Sequence, residues 1–292
     1  MLKLNHNRLL QFAAALFLLS ATTACSSKKE DPVPVDPPTG PIYQMRAVYV
    51  NGTRLDSFIY DNGLLKTAWF YDEKGKDWEY SNYIYKDGLV TRSENYQTSR
   101  TTQKMFLASI DSVVRSTGKL AVYHKFFDEA TGQPRGTDST NTVLDASNRI
   151  VAIGSKDTIR TQWSKSVDYI QITFTGNNLT MFDYNGYYES LSGPGSKDVF
   201  TSKYTLEYGN NRNVLYAEIL KNPPLALEVL DVKYHFLWGA NDVVKMKIID
   251  GDVPGDIIIT NKTVSNTNYI SEQSYTSPEG PVKITYTYNV LN

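Results

Sequence analysis

Two stretches of the chain decide the fold: FIYDNGLLKTAWFY (Phe58–Tyr71) and YIYKDGLVTRSENY (Tyr83–Tyr96). In each, an aromatic run leads into a short turn, Asp61–Gly63 in the first and Lys86–Gly88 in the second, and a second run then ends in Tyr. Asn, Asp and Gly tolerate the positive φ that a tight type I′ turn requires. Each stretch is therefore predicted to form one β-hairpin.

The same turn chemistry recurs along the chain. Gly63 and Gly88 lie 88 − 63 = 25 residues apart, which indicates a weak repeat of two-strand units. Looser copies follow at VLDASNRIVAI (Val143–Ile153), FTGNNLTMF (Phe174–Phe182), YGNNRNVLY (Tyr208–Tyr216) and LWGANDVVKM (Leu237–Met246). Turn signals at intervals of about 8–12 residues are typical of an all-β domain.

Between the turns, apolar and polar residues alternate. In KITYTYNV (Lys283–Val290) the Ile, Tyr and Val side chains occupy one face and the Lys, Thr and Asn side chains the other, which predicts a strand buried on one face only. Only PPLALEVLD (Pro223–Asp231) is expected to hold a short turn of helix within the domain. We predict an all-β fold, an antiparallel meander of about fifteen to twenty short strands curled into a barrel or half-open barrel.

The N-terminal segment has the features of an export signal. Residues 1–24 carry Lys3 and Arg8, then an apolar run from Leu9 to Leu19, then small residues. The apolar run is too short for a transmembrane helix and is typical of a signal peptide. Residues 1–24 are therefore predicted to be a signal peptide. The cysteine that follows indicates a signal peptide of the lipoprotein type.

Cys25 is the only cysteine of the chain. In TTAC (Thr22–Cys25), small residues directly before a Cys resemble a bacterial lipobox, although Thr22 stands where Leu is usual. We predict lipidation of Cys25. The following SSKKEDPVPVDPPTGP (Ser26–Pro41) has five prolines and no large aromatic residue, so residues 25–42 are predicted to be a tether and residues 43–292 the β domain.

The charge balance bears on possible partners. Loss of residues 1–24 removes Lys3 and Arg8, so the formal charge changes from 30 − 31 = −1 to 28 − 31 = −3. This mildly acidic balance lacks the excess of positive charge that is typical of nucleic-acid-binding proteins. The expected partners are the membrane, through the lipid anchor, and a polysaccharide or another envelope protein.

The lipobox, the Pro-rich tether, the Tyr-Asp/Gly hairpins and late strands such as VKITYTYNV together resemble Bacteroidetes lipoprotein families of unknown function with a porin-like fold. The resemblance extends over residues 43–292. It implies an antiparallel barrel-like domain on a lipid tether and brings no catalytic residues. Lys29-Glu30-Asp31 resembles the surface-export signal of such lipoproteins, which implies an outer-membrane, lipid-anchored protein exposed at the cell surface.

A membrane-spanning barrel is the alternative to a soluble one. Spanning strands need about 9–11 residues and a continuous apolar outer band. Many strands of this sequence are expected to be shorter, and their second face carries Thr, Ser, Lys and Asn. We therefore expect a soluble β domain, held at the membrane by its lipid anchor.

Groups suited to catalysis or metal binding are scarce. His124 and His235 lie within strand-like runs, where a hydrogen-bonded histidine of the sheet is the ordinary interpretation. Asp250, Asp252 and Asp256 could ligate calcium, but Asp is common in turns for backbone reasons. We predict no catalytic residues, no metal and no cofactor, and we favour a protein that is not an enzyme.

Aromatic residues are the feature that stands out, with 21 Tyr against 11 Phe. Most are expected to form cross-strand ladders within the sheet. Sugars stack on exposed rings, so two groups are candidate ligand-binding residues. Trp69, Tyr71, Trp78 and Tyr80 surround the predicted Asp72–Asp77 turn, while Tyr187 and Tyr188 flank a predicted Asn185-Gly186 turn. Rings sharing the buried face would be core, and rings sharing the exposed face would form a binding surface.

Three functions remain open at this point. The leading hypothesis is a non-catalytic, lipid-anchored envelope protein that captures a glycan or peptide at the surface. The second is a structural or assembly lipoprotein that cradles a partner or a lipid in a half-open barrel. The third, less favoured, is a glycoside hydrolase with an unrecognised pair of carboxylates. Exposed aromatic rows, a deep apolar cavity and convergent carboxyls, respectively, would distinguish them.

Overall fold

The computed structural model describes residues 42–72, 74–191, 196–228, 238–250 and 254–291. In this part of the chain, seventeen antiparallel strands form one sheet, accompanied by two short helices. The strand count lies within the predicted range, and the all-β prediction is confirmed. No helix in the described ranges has the length and apolar character needed to cross a membrane. Cys25, His235 and Asp252 lie outside the described residues.

The strand bounds follow the predicted hairpins closely in the first half of the chain. The strands are β1 (Ile42–Val50), β2 (Thr53–Asp61), β3 (Leu64–Tyr71), β4 (Asp77–Lys86), β5 (Leu89–Thr98), β6 (Met105–Ser116), β7 (Lys119–Phe127), β8 (Pro134–Leu144), β9 (Ile150–Arg160), β10 (Ser164–Thr175), β11 (Asn178–Ser190), β12 (Lys197–Arg212), β13 (Asn241–Asp250), β14 (Gly255–Ile258), β15 (Thr260–Thr263), β16 (Ile270–Ser277) and β17 (Gly280–Leu291). The helices α1 (Leu215–Lys221) and α2 (Pro224–Glu228) lie between β12 and β13.

The sheet curls into a nearly closed barrel. Each strand from β1 to β13 pairs with the next, and β1 also pairs with β17, so the first and last strands meet. Between β13 and β16, two short consecutive strands complete the ring: β14 pairs with β13, and β15 pairs with β16. At Ile259, the residue between β14 and β15, the backbone N–H donates to the Val244 carbonyl of β13 at 2.9 Å. The predicted antiparallel meander is confirmed, and it closes further than a half-open barrel.

The two hairpins that predict the fold have the expected turns. Asn62 and Gly63 have φ of 50° and 78°, and Asp87 and Gly88 have φ of 53° and 74°. Positive φ at both central residues defines the type I′ geometry, whose twist matches that of the flanking strands. The Asn/Asp-Gly pairs therefore set the register of the first four hairpin strands.

Alternate connections lie at opposite ends of the barrel. One end, called the helical end below, holds the β2–β3 and β4–β5 turns together with α1 and α2. Ile42, the first residue of β1, also lies there, because Gln44 Nε2 donates to the Gly63 carbonyl at 3.4 Å. The opposite end, called the far end, holds the β1–β2, β3–β4 and β5–β6 connections. The chain therefore enters the barrel at the helical end.

Apolar side chains fill the interior. The core includes Met45 from β1, Phe182 from β11 and Tyr286 from β17, all 3% exposed or less. Leu215 of α1 and Ala226 of α2 belong to the same cluster, so the helices pack into the barrel at the helical end. The interior is thus a packed core, closed at that end by helix.

One asparagine fixes the helices to the barrel wall. Asn222, which follows α1, is fully buried. Its side-chain oxygen accepts the Val90 N–H at 2.8 Å, and its side-chain nitrogen donates to the Gly88 carbonyl at 3.4 Å. Two peptide groups at the β4–β5 turn and the start of β5 are satisfied in this way by the helical connection.

Inward-facing tyrosines repeat one arrangement. The Tyr85 hydroxyl donates to the Leu65 carbonyl at 2.6 Å, and the Tyr208 hydroxyl donates to the Leu179 carbonyl at 2.5 Å. Tyr288 makes the same kind of bond to Ile270. In each case the ring packs against the core and its hydroxyl satisfies a carbonyl of the neighbouring strand. A phenol suits these positions better than Phe, which accounts for part of the excess of Tyr.

Three local predictions are wrong. Many strands were expected to be shorter than about 9–11 residues, but thirteen of the seventeen have nine or more. No turn occurs at Asn185-Gly186, because β11 runs through both residues and pairs there with β10 and with β12. YGNNRNVLY (Tyr208–Tyr216) is not a hairpin, because β12 continues to Arg212 and α1 begins at Leu215. The predicted helical turn at Pro223–Asp231 is present in part as α2.

Candidate functional site

Aromatic rings line up across three adjacent strands on the outer face. The register places Trp69 of β3 opposite Tyr80 of β4, and Tyr80 opposite Tyr96 of β5. The Trp69 and Tyr80 ring centroids are 4.4 Å apart with planes inclined by 30°, and the Tyr80 and Tyr96 centroids are 4.6 Å apart with planes inclined by 8°. This stack is a cross-strand ladder of the expected kind.

The predicted group of four rings shares this outer face. The inner face of β3 and β4 carries Ala68 and Tyr83, which are buried. Trp69, Tyr71, Trp78 and Tyr80 point the other way, since alternate side chains of a strand occupy opposite faces. Together with Tyr96 they form what we call the aromatic surface. It lies toward the far end of the barrel, beside the β3–β4 connection.

The stack restricts which rings can meet a ligand. Tyr80 lies between Trp69 and Tyr96, so both of its faces are covered. Partial burial raises the pKa of the Tyr80 phenol, and the neighbouring Tyr96 and Glu94 raise it further. One face each of Trp69 and Tyr96 remains outside the stack. Tyr80 therefore supports its neighbours and offers no face for sugar stacking.

Trp78 and Tyr71 extend the aromatic surface toward the turn. Trp78 is 37% exposed, and the Arg100 guanidinium carbon lies 5.8 Å from its ring centroid. The Arg54 guanidinium carbon lies 4.3 Å from the Tyr71 ring centroid. Guanidinium groups held over ring faces are typical cation–π contacts. Of the five rings, Trp78 is the most open to solvent.

A polar row runs beside the aromatic row on the same outer face. Thr67 donates to Asn82 Oδ1 at 2.8 Å, so this bond does not use the Asn82 amide nitrogen. Asn82 lies opposite Glu94, whose carboxylate pairs with Arg92 at 2.7 Å. Planar amide, carboxylate and guanidinium groups next to ring faces are the groups that recognise sugar hydroxyls. This outer face of β3–β5 can thus offer both stacking and hydrogen bonds.

The second predicted pair does not form one surface. Tyr187 and Tyr188 are consecutive in β11, so their side chains lie on opposite faces. The Tyr187 hydroxyl donates to Glu189 at 2.5 Å, and this hydrogen bond raises the pKa of the Tyr187 phenol. Tyr188 is 38% exposed on the inner-facing side of the strand. Neither belongs to the aromatic surface, because β11 lies on a different part of the barrel wall.

Two rings were missed by the sequence prediction. Tyr96 is the last residue of the second quoted hairpin, and its place in the stack follows only from the β4–β5 register. Trp163 lies in the β9–β10 connection and is 61% exposed, the most exposed tryptophan of the described residues. Its neighbours in sequence gave no signal, since an isolated ring in a polar loop has no periodicity.

A hydrogen-bonded chain of polar side chains crosses four strands on the inner face. Asn95 of β5 donates to Asp111 Oδ2 at 2.8 Å. His124 Nδ1 lies 2.8 Å from Asp111 Oδ1, and His124 Nε2 lies 3.0 Å from Thr140 Oγ1. A carboxylate at Nδ1 favours the tautomer with hydrogen on that nitrogen, so Nε2 accepts from the threonine hydroxyl. The interpretation of His124 as a hydrogen-bonded histidine of the sheet is confirmed.

This inner chain has the order of groups that activates a hydroxyl in hydrolases. Here all four residues lie at mid-strand positions of β5, β6, β7 and β8, and each bond joins one strand to the next. The arrangement holds four strands in register on a face where Ser93 and Ser109 are also buried. We regard it as a structural network.

Among the described residues, no three His, Cys, Asp or Glu side chains converge as metal ligands. Of the aspartates considered for calcium, Asp256 instead pairs with Lys245 at 2.8 Å. A small crevice, partly open to solvent, lies between the helices and the wall near Ile150, Phe174 and Trp238. It has room for about one water molecule, far less than the roughly 300–1,000 Å³ that is usual for ligand pockets.

Comparison with known proteins gives a likeness of fold only. No protein-family model and no curated protein matches the chain. Among solved structures, a porin-like protein from Bacteroides vulgatus is 9% identical over 82% of this chain and 89% of its own, with a TM-score of 0.36. A porin-like protein from Bacteroides uniformis is 12% identical over 84% and 96%, with a TM-score of 0.30.

A protein of unknown function from Bacteroides fragilis is also similar, at 11% identity over 41% of this chain and 81% of its own, with a TM-score of 0.29. TM-scores this low carry no argument about what this chain does.

Proposed function

We propose that this protein is a lipid-anchored barrel of the cell envelope. Its barrel lies outside the membrane, surrounded by water, and binds a glycan at its aromatic surface. The anchor is the predicted lipid on Cys25. The observation that carries the glycan proposal is the row of Trp69, Tyr80 and Tyr96, with exposed Trp78 beside it, next to the polar row of Asn82 and Glu94.

The polar outer face of the sheet supports a barrel that is surrounded by water and not inserted in the membrane. A membrane-spanning barrel has an apolar outer face and a polar interior. This barrel differs from that pattern, because apolar side chains fill much of its interior and its outer face carries cross-strand ion pairs. Lys203 pairs with Asp183 at 2.8 Å, and Lys165 pairs with Glu189 at 3.0 Å, both on the outer face. A charge facing lipid at mid-membrane would cost about 2–4 kcal/mol.

The interior gives less support to the other two hypotheses. A cradle for a partner chain or a lipid needs a deep apolar cavity, whereas the core residues and α1–α2 fill the helical end and leave the small crevice. The carboxylate of Asp111 is engaged by Asn95 and His124 within the inner network. The glycan-binding function therefore has the more specific support.

A retention experiment tests the proposal. The parent protein is passed over a panel of immobilised polysaccharides, together with Trp78→Ala and with Tyr123→Ala as a matched control. Tyr123 is 52% exposed on the outer face of β7, away from the aromatic surface. We expect one or more polysaccharides to retain the parent and Tyr123→Ala but not Trp78→Ala, with all three melting at nearly the same temperature. Equal retention of the two variants would contradict the proposal, as would no retention of the parent.

A further inference from the structure

Six exposed apolar side chains lie on one part of the outer wall, near the helical end, while others such as Trp163, Val199 and Ile258 lie elsewhere. The six belong to β2 and β4–β8 and lie within five residues of a turn at that end. They are Ile59 (50% exposed), Ile84 (42%), Leu89 (37%), Val114 (53%), Tyr123 (52%) and Val143 (44%). We call this set the apolar rim. Scattered single apolar residues are normal on a surface, but a group on neighbouring strands indicates an interaction site.

The strand register brings together the part of the apolar rim on β6–β8, whereas Arg92 of β5 lies opposite Ile84 and separates it from β6. Val114 of β6 lies opposite Ala121 of β7, and Tyr123 is the next outward residue of β7. Val143 of β8 lies opposite Lys119, two residues before Ala121. Val114 and Tyr123 therefore lie on adjacent strands with only Ala121 between them, and Val143 lies beside Lys119 on the third strand.

Basic side chains border the rim where the strands meet their turns. Lys66, Lys86 and Lys119 each lie at or near the strand end that reaches the helical end. The Lys66 side chain is 61% exposed and lies 3.6 Å from the Asp61 carboxylate, a loose pair. Among the described residues, neither Lys86 nor Lys119 forms an ion pair. Lysines beside exposed apolar residues fit an anionic lipid surface, where the apolar groups enter the boundary and the amines meet headgroups.

The entry point of the chain adds an independent argument. β1 begins at Ile42 at the helical end, Ile42 is 54% exposed, and 41 residues precede it. The predicted lipid site, Cys25, lies 42 − 25 = 17 residues before Ile42. A tether attached at this end brings the apolar rim toward the membrane more readily than it brings the far end.

We propose that the apolar rim docks on the surface of an anionic phospholipid bilayer, with the helical end of the barrel against the membrane. This inference rests on the lipid anchor of the proposed function and adds an orientation to it. The aromatic surface, at the far end of the same strands, then faces away from the bilayer. A lipid anchor alone would leave the barrel free to turn on its tether, whereas docking fixes which end faces outward.

Site-specific fluorescence tests the orientation. The mature lipidated protein is bound to vesicles of phosphatidylcholine and phosphatidylglycerol after an environment-sensitive dye is attached to a new cysteine. The thiol of Cys25 is blocked by its lipid, so each variant has one reactive thiol. Val114→Cys lies in the rim, and Val199→Cys is the matched control, because Val199 is 40% exposed on the outer face near the far end.

We expect the dye at position 114 to shift to shorter wavelength and to be quenched by nitroxide lipids, and the dye at position 199 to do neither. Exchange of Lys66, Lys86 and Lys119 for Gln should reduce the quenching. If the protein floats with the vesicles but the dye at position 114 neither shifts nor is quenched, the docking proposal is wrong and the lipid anchor is supported. A shift at position 114 without quenching would mean contact with a second copy and also overturn docking. Failure to float would overturn the anchor and docking together.

Discussion

At the scale of single residues, tyrosine supplies two properties that this barrel needs. Tyr208 packs its ring against the core and donates its hydroxyl to the Leu179 carbonyl at 2.5 Å. Leu179 is fully buried, so this carbonyl has no access to water. Because a buried carbonyl without a partner is costly, the hydroxyl stabilises the fold as well as the ring does.

Removing that hydroxyl should destabilise the protein with little change in packing. We expect Tyr208→Phe to lower the free energy of unfolding by about 1–3 kcal/mol, because the Leu179 carbonyl loses its donor. Tyr123→Phe, at an exposed position, should have almost no effect. Urea unfolding followed by tryptophan fluorescence measures both. Equal stability of Tyr208→Phe and the parent would show that the hydrogen bond contributes nothing.

The buried phenols also predict how stability depends on pH. Burial raises the pKa of Tyr184 to about 12, and it raises the pKa of Tyr60, Tyr204 and Tyr286 as well. A pKa that is higher in the folded state than in the unfolded chain favours the neutral phenol in the fold. This contribution is complete below pH 10, the ordinary value, and is lost as the pH rises through the raised values.

We therefore expect stability to be insensitive to tyrosine ionisation up to about pH 10 and to fall steeply above it. Absorbance at alkaline pH should show the exposed tyrosines ionising first and the buried ones ionising together with unfolding. Ionisation of all 21 tyrosines in a single step near pH 10, with the circular dichroism of the sheet unchanged, would contradict burial of these rings.

At the scale of elements, the hairpins were predictable because their turns are local. Asn62-Gly63 and Asp87-Gly88 adopt positive φ for reasons contained in the residues themselves. Asn185-Gly186 has similar residues and makes no turn, because pairing with both β10 and β12 holds β11 extended there. Tertiary pairing can override a weak local signal, and one sequence does not reveal which strands will flank it.

Helix α1 could not be predicted from its local sequence. Its seven residues are too few for a helical period to stand out, and an isolated helix of this length is unstable in water. It forms because Leu215 packs into the barrel and because Asn222 joins its end to β5. The aromatic surface was also predictable only in part. Alternation along each strand predicts that Trp69 shares a face with Tyr71 and that Trp78 shares a face with Tyr80. The contact with Tyr96 depends on the β4–β5 register, which the sequence does not reveal.

Asn222 gives a direct test of this link between helix and barrel. We expect Asn222→Ala to lower the free energy of unfolding by about 1–3 kcal/mol, because the buried Val90 N–H loses its acceptor. Asn141→Ala, at an exposed position of β8, is the control and should change stability little. Thermal unfolding compares the two. Similar losses for both variants would show that the asparagine link has no special role.

At the scale of the whole molecule, the helices and the aromatic surface lie toward opposite ends of the barrel. The core and helices occupy the interior and the helical end, while the aromatic surface lies on the outer wall toward the far end. The proposed anchor enters at the helical end, through the segment before Ile42. Such a layout would display the binding surface away from the membrane that holds the protein.

The anchor itself has a simple test in cells. We expect Cys25→Ala to abolish incorporation of a fatty-acid analogue and to leave uncleaved or soluble precursor, because Cys25 is the only thiol of the chain. Gel fluorescence of the labelled lipid measures this, with Thr22→Leu as a control that restores the usual lipobox residue and keeps labelling. Unchanged labelling of Cys25→Ala would rule out lipidation at this residue.

The most direct test of glycan binding at the aromatic surface is oxidative footprinting of tryptophan with and without a retained polysaccharide. Trp78 and Trp163 are 37% and 61% exposed, so both should be oxidised in the free protein. We expect bound polysaccharide to protect Trp78 and to leave Trp163 as reactive as before. Protection of Trp163 with Trp78 still fully reactive would contradict binding at the aromatic surface, as would equal reactivity of Trp78 in the free and bound protein.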